Sequence, residues 1–224
     1  MLNKRIEAIV KASRKNGWVL EPDAKKIFQL AGMLVPRFRW AKHLKEAVEA
    51  ASEIGYPVVG KIVSPKILHK SDEGGVVTGI NTRNELERTF EKFKSFRGFD
   101  GMLVEETVVG TELIFGAKMD YQFGPVVLLG IGGTGVEIYR DISIRMTPIT
   151  GNDVLSMIRG LKARQLIEGY RSNPPVNIDK LSETMLKFSE VVMKLESDFQ
   201  SIDLNPVMCT TKDCIVVDAR IILK

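Results

Sequence analysis

Cysteine and histidine are scarce in this chain, two of each among 224 residues, and that scarcity removes several classes of protein at once. Two thiols cannot build the disulfide framework of a small secreted domain, and with two histidines there is little material for structural zinc. No stretch approaches the ~20 apolar residues that cross a bilayer, so no membrane-spanning segment is expected. Residues Met1 to Glu7 mix charge with apolar positions and lack the apolar stretch and small-residue cleavage site of a signal peptide. A cytoplasmic location is therefore expected. Internal repeats and low-complexity linkers are also missing. Neither sign of charge is concentrated: 32 Lys and Arg against 28 Asp and Glu leave +4, and the basic residues are scattered. With no helix-turn-helix, finger or aromatic RNP-like pattern beside them, nucleic acid is not an expected partner. A mild positive field suits a small anionic ligand, or is simply an ordinary solvated surface.

What the chain does contain is a change of period. Helical spacing dominates the first 55 residues, with helices expected over 4–15, 23–32 and 44–54, the second opened by Glu21-Pro22-Asp23 and closed near Gly32. β-Branched runs follow at 57–63 and 76–80, then a helix over about 85–96. From Gly101 to Met146 the pattern reads as strands at 102–105, 113–117, 126–129 and 136–147. A long helix is expected over 178–195, and a hairpin of strands near 200–209 and 214–223 closes the chain. This predicts an α+β protein with a small lobe over 21–100 inserted into a larger lobe of residues 1–20 and 101–224. A cleft between two such lobes is a natural nucleotide site.

The terminal hairpin says most about chemistry. A turn symmetric about Thr211-Lys212 pairs Asn205 with Asp218, Asp203 with Arg220, and Cys209 with Cys214, and simple alternation puts all six on one face. Ile202, Leu204, Ile215, Val217 and Ile221 then fall on the other. A carboxylate and an amide oxygen facing each other beside a second carboxylate form a hard-oxygen site that suits Mg²⁺ when phosphates complete its shell. An exposed polar face on an edge hairpin is the plain alternative. The two cysteines are expected to be reduced thiols, although their facing register permits a disulfide.

A second stretch runs from Lys61 to Val76. Lys61 stands in an apolar strand, where an ammonium is costly unless it snorkels or meets an anion, and it is a candidate phosphate contact. Gly74 and Gly75 precede the next strand and could let backbone N–H groups approach phosphates, as could any Lys/Gly-rich surface loop. His69 sits among Lys66, Lys70 and Asp72, offering a nucleophilic ring nitrogen with cations nearby to stabilise a phosphorylated form, or serving as a surface residue. His43, before a helix, reads as structural. Gly130-Ile131-Gly132-Gly133-Thr134-Gly135 matches the dinucleotide fingerprint, but the period-two stretch after it is a strand rather than the required helix. A strand-to-strand loop is expected there.

Several segments together resemble the β subunit of ADP-forming acetyl-CoA synthetases. They are Gly55 to Lys61, His69 to Val76, Val104-Glu105-Glu106 with Gly110-Thr111-Glu112-Leu113, Phe123 to Val127, Gly132-Gly133 with Glu137 and Asp141, and Asp203-Leu204-Asn205-Pro206. The resemblance extends from about residue 20 to the C-terminus and implies an ATP-grasp fold holding ADP or ATP between two lobes, related to succinyl-CoA synthetase. It implies that Lys61 contacts phosphate, that the backbone of Val104, Glu105 and Glu106 reads adenine, that Glu112 faces the ribose, and that Asn205 and Asp218 bind Mg²⁺. Asp203 would orient a phosphohistidine, and His69 would accept a phosphoryl group from a CoA-binding α subunit in an α2β2 heterotetramer, its loop 64–75 moving between two sites. A stand-alone ATP-grasp carboxylate ligase and a non-catalytic nucleotide-sensing subunit are the rival expectations.

Overall fold

The computed structural model describes residues 3–133, 141–171 and 174–224. The chain divides into two units, residues 1–35 with 109–224, and residues 36–108.

In the smaller unit, the strands β2 (Phe38–Ala41), β3 (Val58–Ile62), β4 (Val76–Ile80) and β5 (Met102–Glu106) form an antiparallel sheet in the order β2-β5-β3-β4. Helix α3 (Leu44–Ile54) lays Ala47, Ala50 and Ala51 on it and stops at Gly55, whose φ of 93° suits glycine. Glu46 closes its first turn by accepting from the N–H groups of Lys42 and His43, so His43 has the structural place expected of it. Helix α4 (Arg83–Lys94), capped by Thr82, buries Leu86, Phe90 and Phe93. The core of this unit lies between the two helices and Val58, Ile62, Met102 and Val104.

In the larger unit, the strands β1 (Trp18–Val19), β6 (Thr111–Asp120), β7 (Gly124–Ile131), β8 (Ile142–Met146), β9 (Phe199–Cys209), β10 (Cys214–Val216) and β11 (Arg220–Leu223) form one sheet. Its order is β1-β11-β9-β6-β7-β8, with β10 beside β9. One face is covered by α1 (Lys4–Ser13), α2 (Glu21–Leu30), α5 (Gly151–Gly160), the short α6 (Gln165–Glu168) and α7 (Ile178–Lys194). The period read in α7 is its buried stripe: Leu181, Met185, Phe188 and Val192 are fully covered. Phe188 meets Phe28 of α2 and Phe115 of β6 with centroids 6.2 and 5.9 Å apart. Removing a ring of this kind costs about 3–5 kcal/mol, so this aromatic junction fixes the helices to the sheet.

Three expectations change. The division between units falls at 35/36 and 108/109, not at 21 and 100, because Ala24, Ile27 and Phe28 pack into the larger core and β5 is an inner strand of the smaller sheet. Helices α5 and α6 were not expected. The signal for α5 was present, since Thr150 and Asp153 form a capping box, but glycines at both ends masked it. Lastly, Cys209 and Cys214 are joined in a disulfide inside the core rather than standing reduced on the polar face.

The cause is a paired irregularity. The observed register matches Cys209 with Cys214 and Asp203 with Arg220, as expected. Between those pairs, Asn205 and Pro206 are two consecutive residues outside the core, and so are Val217 and Asp218 opposite them. Pro206 cannot donate to a ladder, and its carbonyl instead accepts from Val217 N at 3.1 Å and Asp218 N at 3.4 Å. The alternation is reset, so Val207, Cys209, Cys214 and Val216 point inward while Ile215 and Val217 are half-buried. The crosslink closes a loop of sequence separation 5. Reducing it, or the double variant Cys209→Ser/Cys214→Ser, is expected to lower stability by about 2 kcal/mol. A urea midpoint that does not move on reduction would contradict this.

Candidate functional site

The reset turns the cysteine end of the hairpin inward and leaves its polar residues on the outer face. Asp203, Asn205, Asp218 and Arg220 all lie off the core face, Asn205 exposed and the other three half-buried. Arg220 ion-pairs with Asp203 across the strands. Asp218 turns one oxygen to Ala219 N at 2.8 Å. The amide oxygen of Asn205, on β9, and the carboxylate of Asp218, between β10 and β11, are hard donors on the two arms of the terminal hairpin, and two protein oxygens leave most of an octahedral shell to phosphate and water. This donor set fits Mg²⁺. Arg220, paired with Asp203, orients that carboxylate.

Lys61 and Glu105 occupy the face of the smaller sheet away from its helices. Lys61 is 3% exposed and Glu105 0%, and their charged groups meet at 2.6 Å. An ammonium in an apolar strand needs an anion, and the chain supplies one itself. The sequence did not assign Glu105 this task. Strand β5 is paired along both edges, so the backbones of Val104 and Glu105 are engaged by β2 and β3, and Glu106 N donates to Arg37 O at 2.9 Å. Strand β5 ends at Glu106, and Thr107 begins the segment outside these ladders. The Glu106 carboxylate is held by Arg37, which keeps it below the usual carboxylate range.

His69 is exposed on the loop between β3 and β4. The base of that loop is fixed. Ser64 Oγ donates to Arg97 O at 2.7 Å, Ile67 is buried in the core, and Gly75 N donates to Lys70 O at 2.7 Å. Gly74 N donates to Ser71 O, while Lys92 Nζ donates to Gly74 O. The N–H groups of Gly74 and Gly75 are thus used within the loop in this structure. Gly75 has a packing reason, because a Cβ there would lie 2.5 Å from Ile62. Only the apex, residues 68–73, projects from these anchors.

Glu112, at the start of β6, borders a cavity of about 630 Å³ lined also by Gly110, Gly132, Gly133, Leu166 and Thr210. Gly132 N donates to Glu112 O at 2.7 Å, and any side chain at Gly132 would strike that residue's backbone at 2.8 Å. The close approach explains this glycine. Strand β8, from Ile142, returns antiparallel beside β7. Thr134 to Arg140, including Glu137 and the first half of the expected strand 136–147, lie outside the described residues.

An antiparallel sheet carrying a hard-oxygen pair, together with a second α+β unit holding a buried lysine, is the architecture of an ATP-dependent phosphoryl-transfer protein. The ATP-grasp domain family matches residues 11–223, and the chain belongs to it. Within that family it belongs with the β subunits of ADP-forming acetate–CoA ligases. It is 42% identical to the subunit β of acetate–CoA ligase [ADP-forming] I of Pyrococcus furiosus, over 98% of each chain. It is 36% identical to acetate–CoA ligase [ADP-forming] I of Archaeoglobus fulgidus, over 98% of this chain and 33% of that one. A dinucleotide-forming acetyl-coenzyme A synthetase 1 of Ca. Korarchaeum cryptofilum has been solved with coenzyme A and Mg-AMPPCP, its phosphohistidine segment pointing towards the nucleotide-binding site. It superposes with a TM-score of 0.86 and 37% identity, over 98% of this chain and 100% of that one. The stand-alone ligase and sensing readings are not favoured by these matches.

Proposed function

We propose that this chain is the nucleotide-binding subunit of an ADP-forming acyl-CoA synthetase, catalysing acyl-CoA + ADP + phosphate ⇌ acid + ATP + CoA together with a CoA-binding α subunit. In the smaller unit, a ring nitrogen of His69 accepts a phosphoryl group from a phosphohistidine of the partner and passes it to a terminal oxygen of ADP, the P–N bond breaking as the P–O bond forms. Lys61, oriented by Glu105, contributes positive charge towards phosphate. In the larger unit, Asn205 and Asp218 hold Mg²⁺, Asp203 orients the phosphorylated imidazole, and Glu112 accepts from the ribose hydroxyls. Bound Mg²⁺ supplies charge neutralisation at the phosphates.

The observation that carries this reading is the hard-oxygen pair beside a charge-fixed carboxylate on one face of the terminal hairpin. An α2β2 assembly and a cytoplasmic location accord with it; among the described residues no helix is long and apolar enough to cross a membrane. The test is reconstitution. ATP formation from acyl-CoA, ADP and phosphate is expected from the two subunits mixed and from neither alone. Turnover by this chain without a partner would sink the proposal.

A further inference from the structure

Asp141 has no part in the chemistry above, yet it is a carboxylate only 9% exposed. Burial of this kind is tolerated when each oxygen has a hydrogen-bond partner. Its Oδ1 accepts from Lys162 N at 2.8 Å and its Oδ2 from Ala163 N at 2.7 Å, while its own carbonyl accepts from Ile131 N at 3.2 Å. One residue thereby joins the end of β7, the start of β8 and the turn ahead of α6.

Those segments are two walls of the same cavity. Ile131, Gly132 and Gly133 line one side, and Leu166, carried by α6, lines another. Gly132 passes the connection on to Glu112 through the 2.7 Å bond to its carbonyl. The underlying core does not depend on the carboxylate, because Leu161 and Ile167 are themselves buried on either side of the turn. What Asp141 fastens is the rim.

We propose that Asp141 is a positioning residue for nucleotide binding: it fixes the wall bearing Leu166 against the glycine segment that supports Glu112. This rests on the reading of Glu112 as a ribose contact. Asp141→Asn keeps the shape but replaces one acceptor with a donor that faces a backbone N–H.

In the assembled two-subunit enzyme, D141N is expected to raise the KM for ADP about tenfold, the order of one lost charge-assisted hydrogen bond. Its kcat should stay within about threefold and the KM for acyl-CoA should be unchanged, a split that general loosening would not give. The amides of Lys162 and Ala163 should also exchange hydrogen faster. Glu112→Ala is measured in parallel. If E112A raises the KM for ADP while D141N leaves it within about twofold, the positioning role is overturned and the nucleotide reading stands. If neither variant moves it, the nucleotide reading of the cavity is wrong and the proposal falls with it. Should D141N not fold, Asp141→Glu carries the test, since its longer side chain displaces the turn; an unchanged KM for ADP there overturns the proposal equally.

Discussion

His69→Ala is expected to lower ATP formation by the assembled enzyme by about a thousandfold or more, since the group that carries the phosphoryl moiety is gone. Binding of ADP should change little, and so should stability. The reason lies in how the loop is built. Ser64, Ile67 and Gly75 fix its base, and His69 is exposed on the apex beyond them. Truncating an exposed side chain leaves those anchors in place. Activity and fold are therefore separable at this position. Retention of full ATP formation in the presence of the partner would remove the shuttle from the mechanism.

Asp218→Asn is expected to weaken Mg²⁺-dependent ADP binding by about a hundredfold, with partial recovery as the Mg²⁺ concentration rises. Asparagine keeps the volume and one oxygen but loses the charge that a hard dication prefers. The neighbouring Asp203–Arg220 pair remains to hold the two strands together, so the register of the hairpin should survive. Asn205→Ala should act in the same direction by removing the other oxygen. Calorimetric titration with ADP at several Mg²⁺ concentrations separates this from a structural effect, because a misfolded hairpin would not be rescued by metal. Loss of ADP binding that is indifferent to Mg²⁺ would mean that these oxygens do not serve the ion.

How much of this was legible in the sequence follows from what each signal encodes. Helix α3 could be read to the residue, because its alanine stripe and Gly55 are local signals. The hairpin register was legible too, since a tight turn fixes it. Its faces were not: alternation reads every step as equivalent, and Asn205-Pro206 inserts an extra residue that returns the next cysteine to the core. Pro206 was the available clue. Sequence does not reveal whether a strand is inner or edge, so the inner place of β5, which carries Val104 to Glu106, was not legible. The charge on Lys61 called for an anion, but only the sheet order brings Glu105 to it, from 44 positions away in the chain. Asp141 was among the residues that carry the resemblance, but its task was not legible, as both its oxygens accept from backbone amides some twenty residues further on.

The account depends above all on phosphate residing covalently on an imidazole of this chain. Rapid-quench labelling of the two-subunit enzyme with ATP carrying ³²P at its terminal phosphate, followed by peptide mapping, tests that directly. The expected result is an acid-labile, base-stable label on His69 that forms at least as fast as turnover and is discharged by ADP. Label confined to the partner subunit, or none on His69 at turnover rates, would contradict it.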